Sequence, residues 1–340
     1  MRVLIIGGTG IISTGITRQL VERNDDVVLY NRGHTSSLVE GDYTTITGNR
    51  KNFPVFEKQM QEAGAFDCVI DMFCFLPEEA ESAVRAFKGR TGQYIFCSTV
   101  DVYTKPAITY PIVETAERKP SKKFSYAYNK ARCEELLFAA HERGDLAVTS
   151  IRPGHTYGEG GNNLIHPFGF GNSYLDRIKK ALPIILHGNG TSFWPTCHRD
   201  DVAVTFVEAL GNEKAKGRSY HVAGEEWMTW KQYHQRMAEA IGAPAPQFVY
   251  IPTDVLVRMA PQAAAWCEMN FSYNNLFDNT AARKDLGFRV TIPWIEGVRR
   301  TIAWLEENDR LEKSEDFPIY DRIIESWQRV IENLPEITAS

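Results

Sequence analysis

A chain of 340 residues, 43% hydrophobic and 24% charged, carries enough apolar material for two domains, or for one large α/β domain with an appended lobe. Its formal charge of −5 lacks the electrostatic footprint of a nucleic-acid binder, and no stretch approaches the ~20 apolar residues of a membrane span. The six cysteines, at 68, 74, 97, 133, 197 and 267, form no C-x-x-C and sit at no metal-ligand spacing from a histidine, so reduced thiols and no metal site are expected. The opening "MRVLIIGGTG" is too short an apolar run, and wrongly flanked, for an export signal, and a cytoplasmic location is expected.

In chain order, "RVLII" (2–6) predicts a strand, followed by a glycine turn and a helix to about Glu22. "DVVLY" (26–30) and "YTTIT" (43–47) predict two more strands, then a helix over about 54–63. "DCVIDMF" (67–73) and "QYIFCS" (93–98) are strands separated by the helix "PEEAESAVRAF". A helix around Tyr126 ends near Gly144, and "AVTSIR" (147–152) follows it. Apolar strands alternating with helices predict a parallel sheet covered on both faces, a doubly wound α/β fold. After Arg152 the alternation loosens. "LPIILHGNG", "RSYHVAG" and "QFVYIPT" read as short strands among helices, and "WIEGVRRTIAWL" as an amphipathic C-terminal helix. The expected division is a dinucleotide-binding domain over 1–152, with further core elements from later segments, and a smaller substrate-binding lobe with C-terminal helices over 153–340, above the carboxyl edge of the sheet where ligands of such sheets bind.

"GGTGIIS" follows the first strand and opens a helix, the context that gives a glycine fingerprint its meaning. Gly7 permits the tight turn and Gly10 the approach of a pyrophosphate to the helix N-terminus, with Thr9, Ile11 and Ile12 as further cofactor contacts. The third glycine of the usual pattern is replaced by Ser13, small enough to pack on the strand. The second strand ends "VVLYNRGH". An acidic residue there would hold the ribose hydroxyls of NAD; Asn31 and Arg32 stand instead, with His34 and Thr35 after them and Asn49 beyond the third strand. An arginine fork suits a 2′-phosphate, so NADP is preferred, with NAD as the alternative.

In the helix around Tyr126, the residues Tyr126, Lys130, Cys133, Leu137 and Ala140 make one inward stripe. A lysine in an apolar seam either snorkels, stem on the core and ammonium in water, or forms a catalytic pair with the tyrosine one turn earlier. Ser98 and Thr99 close a central strand on the edge that carries the glycine loop.

With these parts in order, and with "STVDVY", "IRPGHTYG", "HGNGTSFWPTCHRDDVA" and "TAARKDLGF", the sequence resembles the extended short-chain dehydrogenase/reductases, in their NAD-dependent epimerase/dehydratase branch. The resemblance covers nearly the whole chain. It implies a Rossmann-type fold and an NAD(P)-dependent epimerase or reductase acting on a secondary alcohol of a sugar or nucleotide sugar. It makes Tyr126 the acid/base and Thr99 a hydrogen-bond donor to the substrate oxygen, with Lys130 binding the nicotinamide ribose and depressing the tyrosine pKa. A homodimer is a common arrangement in this family.

Three departures bear on the substrate. Sugar 4,6-dehydratases follow the threonine with an Asp-Glu pair; here stand Val100 and Asp101, which disfavours dehydration. The family's asparagine in R-x-x-N is His155, and its diphosphate-binding arginine is Trp194. His155, Trp194, Arg199 and Ser98 are therefore the substrate candidates, and Lys179 is a second possible phosphate contact. Finally, Phe73 and Cys74 stand where small residues usually face the cofactor, a pattern that resembles relatives of the chloroplast stem-loop-binding proteins. RNA binding, or sensing of NADP without turnover, are the rival functions.

Overall fold

The computed structural model describes residues 1–34, 38–161, 164–169 and 171–335; Thr35, one of the residues noted after the second strand, lies outside them. In chain order the elements are β1 (Arg2–Ile6), α1 (Ile11–Glu22), β2 (Asp26–Asn31), β3 (Thr44–Thr47), α2 (Phe53–Ala63), β4 (Phe66–Asp71), α3 (Pro77–Phe87), β5 (Thr91–Cys97), α4 (Ser125–Glu142), β6 (Val148–Pro153), β7 (His155–Tyr157), α5 (Ser173–Lys179), β8 (Ile184–His187), β9 (Phe193–Trp194), β10 (Thr196–His198), α6 (Arg199–Ala209) and β11 (Arg218–Val222). They continue with β12 (Met228–Thr229), α7 (Trp230–Ala240), β13 (Phe248–Ile251), α8 (Thr253–Met259), α9 (Thr280–Leu286), α10 (Trp294–Glu307) and α11 (Ile319–Glu332).

The chain folds into two compact units, one of Met1–Gly161, Pro195–Trp227 and Asn275–Gly297, the other of Asn162–Trp194, Met228–Asn274 and Val298–Ser340. In the first, seven strands form one sheet in the order β11-β6-β5-β4-β1-β2-β3, every neighbouring pair parallel. Strand residues alternate between two cores, as the pleat requires. Val3 and Ile5 of β1 face Ile16 and Leu20 of α1 and Phe206 of α6, while Leu4 and Ile6 face Phe56 of α2, Ala83 of α3 and Leu137 of α4. This is the doubly wound, Rossmann-type α/β fold that the alternation predicts.

One strand expectation is corrected. The strand expected to run to Phe73 stops at Asp71, because the Asp71 carboxylate accepts the Phe73 N–H at 3.0 Å and turns the chain. "RSYHVAG", expected as a short strand, is β11, laid parallel to β6 with Arg218 opposite Thr149. Its Tyr220 and Val222 are fully buried in the first unit's core, which explains the assignment: a β-branched and aromatic run pairs wherever a parallel edge is open.

The second unit holds the parallel pair β8·β13 and the antiparallel pair β9·β12. Its interior is aromatic, with Trp194 stacked on Trp230 at 5.0 Å and edge-on to Phe271 at 4.9 Å.

Candidate active site

β1 and β5 are parallel members of one sheet, so the glycine loop after β1 and the hydroxyls after β5 emerge at the same carboxyl edge. The loop is built for close approach. Gly7 has φ +85, and a Cβ there would sit 3.0 Å from Cβ of Phe73; a Cβ on Gly8 would meet the buried Leu29 side chain at 2.7 Å. The Ser13 hydroxyl accepts the Gly10 N–H at 2.7 Å and donates to the Gly7 carbonyl at 2.8 Å. Serine at this place is more than a tolerated substitute for glycine, since it staples the loop to the first turn of α1. The free N–H groups of that turn, on Ile11 and Ile12, are the ordinary unsatisfied donors of a helix start and suit a phosphate.

At the far end of β2, the Asn31 side-chain oxygen accepts the Gly33 N–H at 2.9 Å. Arg32 and His34 beside it are exposed. Asn49 is exposed too, its side chain accepting the Lys51 N–H at 3.0 Å.

Lys130 resolves the question raised by its place in the seam. It is 1% exposed, so it does not snorkel. Its ammonium donates to the Cys97 carbonyl at 2.7 Å and lies over the rings of Phe75 (4.4 Å) and Phe96 (4.8 Å). One of three N–H groups is thus used on an oxygen, and the rest meet aromatic faces, a buried donor set that fits the hydroxyls of a ribose. Burial pushes the neighbouring Cys97 thiol up to about 11, with the Lys130 charge pulling the other way.

Tyr126 is half-buried, between the rings of Phe75 at 6.4 Å and Phe124 at 6.1 Å, with the Thr99 side chain near its hydroxyl. Burial raises the phenol above its usual range, the Asp101 carboxylate raises it further, and the Thr99 side chain acts in the opposite sense. Thr99, 6% exposed, opens a single 3₁₀ turn over Val100–Val102 and accepts the Asp101 N–H at 3.2 Å. Ser98, 3% exposed, has its hydroxyl beside the Glu134 carboxylate.

The structure thus brings Thr99, Tyr126 and Lys130 together where β5 meets α4. The other substrate candidates are on other elements. Arg199, at the start of α6, lays its guanidinium on Glu159 and Asp200, at 3.7 and 3.4 Å. His155 lies on β7, stacked on Tyr157 at 6.4 Å. Trp194 belongs to the second unit's aromatic interior, and Lys179 pairs there with Glu306.

Several functional-looking side chains lie outside the residues expected from the sequence. Asp71, fully buried, pairs with Arg50 at 2.9 Å and accepts the Tyr94 hydroxyl at 2.5 Å. Glu79 accepts the Phe75 and Leu76 N–H groups at 2.6 and 3.0 Å, and Arg50 donates to the Glu79 carbonyl at 2.7 Å. Together they pin the 72–76 loop that sets Phe75 on Lys130. On the inner side of α4, Glu134 takes two bonds from Arg152, at 2.8 and 2.7 Å, and one from Arg118 at 2.5 Å. The Arg152 charge beside it holds Glu134 at about 2, against its burial. An acid closing an apolar strand, as in "VID", and an acid on a helix's inner face, as in "CEELL", are the signals that point to Asp71 and Glu134.

Among the described residues there is no cluster of three or more His, Cys, Asp or Glu able to hold a metal, and no helix long and apolar enough to cross a membrane. All six cysteines are buried and unbridged.

Comparison with known proteins places this geometry. The model of the NAD dependent epimerase/dehydratase family matches residues 3–223. The chain is 29% identical to the chloroplast stem-loop binding protein of 41 kDa b of Arabidopsis thaliana, over 73% of this chain and 65% of that protein. It is 27% identical to the 2′-dehydrokanamycin reductase of Streptomyces kanamyceticus, over 72% of this chain and 68% of that one. These matches therefore span about two thirds of each relative's own length. Among solved structures, a UDP-glucuronic acid 4-epimerase from Bacillus cereus in complex with NAD superposes with a TM-score of 0.70 at 17% identity, covering 91% of this chain and 99% of that one.

Proposed function

The chain belongs to the NAD-dependent epimerase/dehydratase family, and from that premise we propose that it interconverts a secondary alcohol and its ketone on a sugar or nucleotide sugar. It does so as a reductase or as an epimerase, with Tyr126 as the acid/base. The observation that carries this reading is Lys130, buried one turn beyond Tyr126 on α4 with its ammonium on the Cys97 carbonyl at the end of β5, where Thr99 follows. A bound nicotinamide supplies the hydride chemistry. The loop from Gly7 to Ile12 would take the pyrophosphate, and Lys130 the nicotinamide ribose. Tyr126 then gives its proton to a ketone oxygen, or takes one from an alcohol, while the Thr99 hydroxyl fixes the oxygen's position.

Val100, where sugar dehydratases have an acid, speaks against elimination of water. Trp194, packed on Trp230 rather than offering a cation, favours a sugar without a diphosphate over a nucleotide sugar. One relative is named a 2′-dehydrokanamycin reductase, which supports the redox reading. The exposed Arg32 favours NADP.

Reduction of keto-sugars with NADPH, followed by loss of the cofactor's absorbance, tests the reductase arm, and conversion of UDP-sugars to their epimers with oxidised cofactor, followed by chromatography of the products, tests the epimerase arm. Tyr126→Phe should remove activity and keep cofactor binding. Lys130→Met should remove activity and weaken binding as well. Full activity in Tyr126→Phe would end the proposal.

The relative named for stem-loop binding supports RNA binding as a second reading. It requires affinity for an RNA hairpin that falls steeply with salt, which a protein of charge −5 is poorly suited to give.

A further inference from the structure

The 72–76 loop runs from the glycine turn to Lys130. At one end, a Cβ on Gly7 would lie 3.0 Å from Cβ of Phe73; at the other, the Lys130 ammonium lies over the Phe75 ring at 4.4 Å. Hydrogen bonds pin the backbone between them. Asp71 accepts the Phe73 N–H at 3.0 Å, and Oε2 of Glu79 accepts the N–H groups of Phe75 and Leu76 at 2.6 and 3.0 Å. Arg50, 3% exposed, joins these two anchors, pairing with the Asp71 carboxylate at 2.9 Å and donating to the Glu79 carbonyl at 2.7 Å. The Phe73 ring braces Phe75 edge-on, with centroids 5.0 Å apart and planes at 89°. Phe75 is thus a fixed wall of the site.

That wall faces a cation. The Lys130 ammonium donates one N–H to the Cys97 carbonyl at 2.7 Å, and the Phe96 ring of β5 lies 4.8 Å away on another side. A ring face attracts the charge as a whole and does not use up a directed N–H. Two faces and one carbonyl can therefore hold the ammonium and still leave hydrogens for a ligand. Phe96 is sealed in the core beneath the sheet, whereas Phe75 is half-buried. Of the two rings, Phe75 is the one within a ligand's reach.

We propose that Phe75 is a positioning residue for Lys130: its ring, held by the Asp71–Arg50–Glu79 anchor, fixes the ammonium by a cation–π contact in the place from which it binds the nicotinamide ribose. This deepens the reading of the site and rests on Lys130 as the ribose contact. Two alternatives predict different behaviour. A ring that acts by bulk alone is indifferent to the electron density on its face. A ring that occupies the ribose position in the free protein has to leave when the cofactor arrives, and weakening its hold on the ammonium would then tighten binding.

The test varies the charge distribution of the ring at nearly constant shape. Phenylalanine carrying one, two or three ring fluorines is placed at position 75 of the full chain by nonsense suppression, and NADPH and NADH affinities are read from cofactor fluorescence. Each fluorine draws electron density from the ring face, so affinity should fall stepwise, by about tenfold from phenylalanine to the trifluorinated ring. In Lys130→Met the same series should be flat, because the cation is gone. Phe75→Leu keeps an apolar side chain and removes the face; it should lose about as much affinity as the trifluorinated ring, with a urea midpoint to separate that loss from unfolding. Affinity that stays level or rises with fluorination overturns the proposal. So does a slope that persists in Lys130→Met, or full affinity in Phe75→Leu. Because the readout is binding, its outcome is separate from the Tyr126→Phe assay. Activity retained there would refute the acid/base reading and leave the contact between Phe75 and Lys130 standing.

Discussion

An ammonium group sealed from water is costly unless its surroundings replace the lost hydration. Lys130 is compensated by one carbonyl and two ring faces, an arrangement worth about 2 kcal/mol where cation–π contacts are desolvated. That leaves donors for a ligand, which a fully satisfied lysine would lack. Gly7 is constrained in the opposite way, by space and backbone. At φ +85 any side chain is strained, and a Cβ would press on Cβ of Phe73 at 3.0 Å. Gly7→Ala should therefore cost about 1–3 kcal/mol, read from the urea midpoint, and should abolish cofactor binding in a fluorescence titration. A stable variant that binds normally would remove Gly7 from the site. Arg32, by contrast, is exposed and adds little to stability, so Arg32→Ala isolates recognition. The expected result is an NADP affinity reduced about tenfold or more, the worth of a charge-assisted contact, with NAD affinity nearly unchanged. Equal losses for the two cofactors would refute the NADP preference.

At the scale of elements, α4 is held to the sheet as much by charge as by apolar contact. Glu134, fully buried, is bound by Arg152 from β6, whose guanidinium also donates to the Tyr103 hydroxyl at 2.6 Å and the Glu114 carbonyl at 3.0 Å. Tyr103 in turn hydrogen-bonds Nε2 of His221 on β11. Removing one partner of such a pair strands the other's charge in the interior. Glu134→Leu should cost about 3–5 kcal/mol by urea unfolding, and Glu134→Leu with Arg152→Met should recover most of that loss. A double variant no more stable than the single would show that the pair is not the reason. The elements themselves were largely legible. β1 and α3 fall at their expected residues, and the Tyr126–Lys130 pair could be read because a helix makes a four-residue spacing a spatial contact. What escaped the sequence are the contacts that cross it. Lys105 and Asn275 are brought together from opposite halves of the chain, Arg50 meets Asp71 only because β3 and β4 lie in one sheet, and the Glu159 that holds Arg199 sits in a loop without periodicity.

Taken as a whole, the molecule is exposed to acid through its buried histidines. Burial lowers His187 and His234 to about 4 and His221 to about 3, and holds His166 well below the usual range, where the His234, His187 and Arg177 charges add to the effect. In the second unit neutral His166 and His234 form a directed set of hydrogen bonds. The Tyr320 oxygen accepts the Ile185 N–H at 2.7 Å and gives its proton to Nε2 of His166, 2.9 Å away. Nδ1 of His166 must then donate to Nε2 of His234, at 2.9 Å, whose own Nδ1 donates to the Trp230 carbonyl at 2.7 Å. A second proton on Nε2 of His234 would break its bond to His166, and one on Nε2 of His166 would turn the Tyr320 hydrogen away. The folded-state pKa values lie below the ordinary histidine value of about 6.5, so the unfolded chain binds more protons between the two. The stability these groups contribute is complete above pH 6.5 and is lost as pH falls toward 4, with His221 extending the loss to about 3. Glu134 adds a lower limb, its contribution complete above about pH 4.5 and lost as pH falls through 2. At pH 5 the four histidines predict an uptake of roughly three to four protons on unfolding, and near zero at pH 8. The uptake is measured by calorimetric unfolding in buffers of different ionisation enthalpy. Uptake of less than one proton at pH 5 would mean that these rings already carry charge in the folded protein, and the directed chain from Tyr320 to Trp230 would have to be abandoned.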